Sequence, residues 1–288
     1  MTAELFSMAY QIADVFAFLI LSAAGLAIIF GMMGVINMAH GEFIMCGAYV
    51  TVAVAHAGLP LPLAQACGAA VAGVIGVVLE WTVIRKLYKR PVDSLLATWG
   101  LSLIATQGTL LLFGSSLPGV GTPVGSFEAG GYTFSTYRLV LFAAALGVLG
   151  IIYVIFMRTR FGVHARATMQ NAAIAQATGV RVGRVYALCF GLGAALAGLC
   201  GALYAPTMTI VPTMGANFLV ESFVTVVVGG ANVLLGTAPA GVLLATIRSA
   251  LNAWSGQIIG QIGMLVAVII VIRLLPEGIS GWLRKRTP

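Results

Sequence analysis

The sequence predicts an all-α fold: a polytopic transmembrane helical bundle of eight or nine spans, built as two inverted repeats with interrupted helices. Three observations predict it. Of 288 residues, 60% are apolar and only 8% charged, against about 25% charged in a soluble domain, and mean hydropathy is +1.04. Apolar runs of about 20 residues, the length that crosses a bilayer core, recur from end to end. The basic residues are confined to short clusters between those runs. Together these features exclude a soluble enzyme and a disordered chain. The net charge of +7 does not signal nucleic acid, because the basic residues fall in three short clusters between long apolar runs. The 36 glycines suit helices that pack closely in lipid.

In order, the candidate spans are Tyr10–Phe30, Met32–Ala55, Leu61–Ile84, Ser94–Phe113, Tyr137–Met157, Val185–Ala205, Phe218–Leu235, Ala238–Trp254 and Gln257–Leu275. The second and seventh carry polar residues and are candidates for broken or re-entrant segments. No Lys or Arg precedes the first apolar run, which holds Glu4 and Asp14 instead, so it reads as a retained span rather than a signal peptide. The whole chain, 1–288, reads as one transmembrane domain with a loop at 158–184 on its inner side.

Three basic groups set the topology: Arg85, Lys86, Lys89 and Arg90; Arg158, Arg160, Arg166, Arg181 and Arg184; and Arg273, Arg284, Lys285 and Arg286. They hold 13 of the 15 basic residues, leaving Arg138 and Arg248. Nine spans put all three groups on the cytoplasmic side, with the N-terminus outside and the C-terminus inside. Trp81, Tyr88 and Trp282 flank these groups as interfacial aromatics. The outer connection from Gly114 to Thr136 is long for a connector, and reads equally as an entrance cap or a plain loop.

The inner loop is RTRFGVHARATMQNAAIAQATGVRVGR. Gly162 and Gly179 punctuate it, and Ala165 to Thr178 between them predicts about four turns of helix. A short exposed helix with small residues and Arg at both ends suits docking on a soluble partner. A solvated connector whose arginines meet anionic lipid is the other reading.

Ionisable groups inside spans mark a pathway or a partner. The second span carries Asn37, His40 and Glu42, with Gly41 able to break the helix between them. The seventh carries Asn217, Glu221, Ser222, Gly229, Gly230 and Asn232. A polar, glycine-interrupted span in each half is the pattern of inverted-repeat transporters, where unwound backbone lines a cavity. Plainer roles stay open: a His40 bond to a backbone carbonyl, a basic partner for Glu42, an outer-interface position for Glu221. Glu80 is expected to pair with Arg85 or a neighbour.

Ala194–Gly198 and Ala197–Gly201 are small-xxx-small pairs for helix packing. Cys46, Cys67, Cys189 and Cys200 show no ligand spacing and read as small buried side chains. No nucleophile–base set or metal cluster is apparent, and no G-x-x-x-x-G-K-[ST] motif offers a cradle for ATP phosphates. The chain is therefore not expected to be an enzyme, nor to bind a cofactor itself; energy would come from an ion gradient or an associated ATPase.

Four blocks carry a resemblance. Gly34 to Tyr49, GVINMAHGEFIMCGAY, closely resembles the second-span segment of permeases of branched-chain amino acid ABC importers. Glu80 to Ser102 is similar to that family's next inner loop, Arg160 to Leu203 to its coupling helix and the Gly/Ala-rich span after it, and Phe218 to Gly236 to its late V-V-V-G-G segment. The resemblance implies a permease in a bacterial inner membrane that pairs with a second permease, two cytoplasmic ATP-binding subunits and an external solute-binding protein. ATP would be used by those partner subunits. It implies an ATPase-coupling loop containing Arg160, Gly162, Arg166, Gln170, Asn171 and Gly179. It also makes Asn37, His40, Gly41, Glu42, Asn217, Glu221, Ser222, Gly229 and Gly230 candidates for the translocation path or its helix breaks. Within the family, INMAHGEFIM, LLATWGLSL and NFLVESFVTVVVGG look most like the branch importing urea and short amides. Trp81 departs from that pattern where an Arg commonly stands, and branched-chain amino acids are the alternative solute. Two readings from other classes are an ion-coupled transporter using His40, Glu42 and Glu221 as a proton relay, and a passive urea channel.

Overall fold

The computed structural model describes residues 2–88, 90–129, 131–230 and 236–286. Lys89 and Asn232, and the side chains of Arg284, Lys285 and Arg286, lie outside what is described. The helices are α1 (Thr2–Met33), α2 (His40–His56), α3 (Leu61–Thr82), α4 (Pro91–Phe113), α5 (Thr136–Arg158), α6 (Arg160–Gln170), α7 (Ala172–Ala177), α8 (Val182–Tyr204), α9 (Met214–Gly229), α10 (Ala238–Ser255), α11 (Gln257–Leu274) and α12 (Gly278–Arg286). Nine of these correspond to the nine apolar segments read from the sequence: six agree within three residues at each end, while α1 begins eight residues earlier, α2 eight residues later, and α9 ends at Gly229 rather than Leu235. Among the described residues, six helices are long and apolar enough to cross a membrane. The short α2 and α9 and the more polar α10 complete the nine segments.

The connection before α5 is not plain loop. Strands β1 (Ser126–Ala129) and β2 (Tyr132–Ser135) pair antiparallel, with Ser126 opposite Ser135. Phe127 and Phe134 meet Phe6 edge to face, and Phe134 packs at a tilt on Tyr10, which ties the hairpin to the start of α1. Leu117 donates its amide to the Ile210 carbonyl at 2.8 Å, so the same connection also covers the segment leading into α9.

The first helix is the centre of the bundle rather than its edge. In the most apolar stretch of α1, 78% of residues are buried, against 6% for α4. Helix α8 is the other central element, while α4 and α11 expose Trp99, Ile104, Leu111, Ile258 and Ile269, the face an apolar solvent accepts.

Contacting pairs give the helix directions. Phe18 meets Tyr204, and Gly25 meets Gly193, so α1 and α8 are antiparallel. Phe18 meets Phe218, and Leu26 packs with Val226, so α1 and α9 are parallel. Phe43 on Phe190 and Gly47 on Gly198 make α2 parallel to α8. Helices α2 and α9 are therefore antiparallel to each other. On these directions Arg85, Lys86, Arg90, Arg158, Arg181, Arg184 and Arg273 share one end of the bundle, as the charge pattern predicts.

Two glycine pairs lie where the two halves of the chain meet. A Cβ on Gly25 would collide with the Gly193 carbonyl, and one on Gly193 would press on the Gly25 carbonyl. Gly41 and Gly215 obstruct each other in the same reciprocal way. The order long helix, irregular segment, short helix occurs in both α1–α2 and α8–α9, and the two copies run in opposite directions.

Gly198 and Gly201 in α8 pack against α3 and α2, as the small-xxx-small pattern predicts. A Cβ on Gly198 would meet the Ala72 side chain and the Gly68 carbonyl; one on Gly201 would meet the Ile44 backbone. Gly198→Val should cost about 1–3 kcal/mol through overpacking. A lowered melting temperature of the purified protein in detergent, with Gly100→Val on exposed α4 near native, checks this.

Candidate functional site

The irregular segment Gly34 to Ala39 returns from the end of α1 into the bundle before α2 begins. Gly34 takes φ +63, a left-handed conformation that opens the turn at little cost only for glycine. Asn37 is fully buried, and its Oδ1 accepts from the Ala39 amide at 3.1 Å, an Asx turn that launches the new helix. His40 is also fully buried, and its Nε2 donates to the Ser22 carbonyl on α1 at 2.9 Å. This is the plainer of the two roles the sequence left open for it. Asn37 Nδ2 and His40 Nδ1 have no partner among the described residues.

The break precedes Gly41 instead of falling at it. Gly41 lies in the first turn of α2, and its missing side chain allows the backbone approach to Gly215. Glu42 turns to α4, where Ser102 donates to its Oε1 at 2.8 Å; the basic partner considered for it is not there. Glu42 and Tyr49 border an apolar cavity of about 370 Å³ between α2, α3 and α4.

On the opposite side of the crossing, the site residues of α9 separate. Asn217 is exposed. Ser222 donates to the Phe218 carbonyl at 2.6 Å. Glu221 is buried and forms an ion pair with Arg248 of α10, one guanidinium nitrogen lying 2.8 and 2.9 Å from the two carboxylate oxygens. That buried pair, and not an outer water interface, is the environment of Glu221. Gly229 and Gly230 close the helix: Gly229 has no room for a Cβ against Thr237, and Gly230 takes φ +81 at the C-cap. The structure therefore joins the two interrupted helices at Gly41 and Gly215 but sends their acids to different partners.

The sequence reading missed a second polar cluster. Arg138 of α5 pairs with Asp14 of α1. Asp14, Arg138, Arg248 and Tyr204 border a cavity of about 550 Å³ at the end of the bundle opposite the basic groups. The signal was present: Arg138 and Arg248 are the two cations outside the three basic groups, and a cation within a span needs an anion.

At the basic end, the single helix expected over Ala165–Thr178 is two helices. Thr159 caps α6, accepting from the Gly162 amide at 3.1 Å, so the helix starts at Arg160. Gly162 does not punctuate it; it lies buried against the carbonyls of Ile155 and Phe156 at the α5–α6 corner. Asn171 is extended at φ −158 and caps α7, its Oδ1 accepting from Ala173 and Ile174 at 3.0 and 3.1 Å. Asparagine favours such local bonds over a helix interior. Arg166 donates to the Phe156 carbonyl, which holds α6 to α5. Gln170 is exposed, and Gly179 takes φ +91 in the turn after α7. Glu80, wholly buried, accepts from Tyr88 rather than Arg85. Burial, and then the Glu80 carboxylate, push the Tyr88 hydroxyl well above the usual phenol range. A groove of about 630 Å³ runs between Arg85, Tyr88, Gln176 and Arg184 beside this loop.

The family model for the permease component of branched-chain amino acid transport systems matches residues 8–275. The chain belongs to this family. It is 26% identical over 279 residues to the high-affinity branched-chain amino acid permease LivH of Salmonella typhimurium, covering 91% of this chain and 90% of the relative. It is 25% identical to BraD of Pseudomonas aeruginosa over 91% of each chain. The autoinducer 2 import permease LsrD of Yersinia enterocolitica is 28% identical over 213 residues, 64% of this chain and 63% of that protein. No solved structure matches the chain. The chain is thus a membrane-spanning transport permease and not an enzyme.

Proposed function

We propose that this chain is the membrane subunit of an ABC importer that moves a small polar solute into the cytoplasm. It pairs with a second permease and is driven by two ATP-binding subunits that dock on α6 and α7, while an external binding protein delivers the solute. On this reading the basic end faces the cytoplasm, the N-terminus lies outside and the membrane is the inner one. The chain itself binds no cofactor, and ATP is used by its partners. The loop at 158–184 is the coupling element. Asn37, His40, Gly41 and Glu42, with Gly215 and the start of α9, border the region where the path changes access.

The observation that carries the reading is the reciprocal crossing at Gly41 and Gly215. Two short antiparallel helices there begin inside the bundle, each after an irregular segment, and two buried polar atoms beside them lack partners. Such a centre can rock between two arrangements without unfolding long helices. A proton relay through His40, Glu42 and Glu221 draws no support from their partners, a carbonyl, a serine and an arginine on three different helices.

The solute we favour is a small aliphatic amino acid, the class in the names of LivH and BraD. The sequence blocks that look like the urea and amide branch support the second choice. The complete complex, reconstituted in vesicles with its binding protein, should accumulate labelled leucine only with ATP, and a protonophore should leave uptake intact. Uptake that persists without ATP and collapses with the protonophore would remove the reading.

A further inference from the structure

The groove at the basic end holds cations that the chain leaves without acids. It measures about 630 Å³ and is bordered by Arg85 from the turn after α3, by Arg181 and Arg184 at the start of α8, and by Tyr88 and Tyr186. All three arginines are exposed, and none is ion-paired among the described residues. Glu80 belongs to the wall and not to the groove: it is wholly buried and accepts from Tyr88. Tyr88 and Tyr186 meet edge to face at a centroid distance of 5.0 Å. The Arg85 guanidinium lies over Gly183, where a Cβ would collide with it, so this cation is carried onto the first turn of α8.

Arginines at this position work against the helix. A helix N-terminus carries partial positive charge and favours acids, yet α8 starts with no acid in its first turn and no side-chain cap. The start of α4, at the same end of the bundle, shows the ordinary solution: Asp93 stands in its first turn and pairs with Arg90 at 3.6 Å. Three guanidiniums and uncapped helix amides facing one groove suit the oxygens of a phosphate group. The surface next to the groove on the membrane side is apolar. Leu188 stands one turn beyond Arg184 on the same face of α8, and Trp81 one turn before Arg85 on α3; they are 54% and 66% exposed. Both helices run from the basic end into the span, so these side chains lie deeper than the arginines. A soluble phosphate has no use for that continuation, whereas a phospholipid has the same layout, phosphate at the rim and chains below.

We propose that this groove binds the phosphate of an anionic glycerophospholipid, its headgroup held by Arg85, Arg181 and Arg184 and its acyl chains lying past Leu188 and Trp81. A net-negative lipid is preferred to a zwitterionic one because the groove offers cations and no carboxylate to receive an ammonium. The inference does not depend on the importer reading; it needs only that the chain spans a membrane.

The purified full chain in a neutral maltoside, freed of native lipid, is titrated with dioleoylphosphatidylglycerol, with dioleoylphosphatidylcholine and with inorganic phosphate, and bound molecules are counted by native mass spectrometry. Phosphatidylglycerol should bind at least tenfold more tightly than phosphatidylcholine, and millimolar phosphate should not displace it. Arg85→Gln with Arg184→Gln should remove that preference. Arg158→Gln with Arg273→Gln takes the same charge from exposed positions at the same end, outside the groove, and should keep the preference within about twofold. Without lipid, both double variants should melt within a few degrees of native, as exposed positions allow. Equal binding of the two lipids, or a preference that survives in Arg85→Gln with Arg184→Gln, would overturn the proposal. So would an equal loss in the control pair, which would make the preference a property of the whole basic end. Displacement by phosphate would assign the cations to a soluble anion instead. Equal lipid binding, together with loss of the ATP-binding subunits from the complex carrying Arg85→Gln and Arg184→Gln, would assign the groove to that partner and end the lipid claim.

Discussion

Glu221→Ala should cost the folded protein about 3–5 kcal/mol, the penalty for leaving one member of a buried ion pair without its partner. Glu221 is 6% exposed and the Arg248 side chain 13%, so most of both charged side chains is out of water. The two carboxylate oxygens already share one guanidinium nitrogen, and Arg248 Nε has no other acceptor. Losing Glu221 therefore removes the one carboxylate hydrogen-bonded to Arg248 among the described residues. The expected result is a large drop in melting temperature and in yield from membranes. Glu221→Leu combined with Arg248→Met should recover most of the loss, because replacing both charges removes the desolvation cost with the attraction. A near-native melting temperature for Glu221→Ala alone would mean that water reaches the pair and the penalty does not apply. Asp14→Ala makes the comparison: its partner Arg138 is 51% exposed, and exposed pairs contribute about 1 kcal/mol or less.

Helix positions were legible because lipid leaves the chain few choices. A span must be apolar over its full length and must satisfy its own backbone, so hydropathy alone located six of the nine segments to within three residues at each end, and missed where α1 and α2 begin and where α9 ends. The basic groups gathered at one end for an equally local reason. Which helices occupy the centre was not legible. Helices α1 and α4 are both apolar, and in a membrane an apolar surface is equally content against lipid or protein. Small residues were the available clue: Gly25, Ala23, Ala24 and Ala27 in α1 match the Gly/Ala run of α8, while α4 carries Trp99, Leu111 and Leu112 outward.

The candidate site was legible at the level of which segments are interrupted, and not at the level of partners. Asn37, His40 and Glu42 stand close in sequence, yet a helix start sends neighbouring side chains in different directions. His40 goes to α1 and Glu42 to α4. Glu221 lies 27 residues from Arg248, a separation that only the α9–α10 packing closes. The inner loop failed at one residue. Helix propensity summed over Ala165–Thr178 is high, but Asn171 can satisfy two amides with its own side chain, and that local bond outcompeted the continuing helix.

Changing the outer face of that loop should uncouple the assembled complex while leaving the permease folded. Gly162, Ala165, Thr168 and Ala175 are buried against the bundle, whereas Val163, Met169 and Ile174 are 54%, 46% and 63% exposed. Three apolar side chains on two short helices at the polar end of a membrane protein are badly placed unless a partner covers them, and a helix face entering a groove is the arrangement they suit. On the importer proposal the buried residues hold the loop and the exposed ones would meet the partner, so the two roles separate by substitution. Val163→Ser, Met169→Gln and Ile174→Ser together should reduce solute-stimulated ATP hydrolysis at least tenfold, consistent with about 1.4 kcal/mol or more lost from the docking contact. The melting temperature of the isolated permease should stay within a few degrees of native, since exposed positions contribute little to its fold. Ala165→Leu should do the reverse, lowering the melting temperature by crowding the α6 seat. Unchanged stimulation in the triple variant would mean that force reaches the bundle by another surface, and the groove between Arg85 and Arg184 would be the next to test.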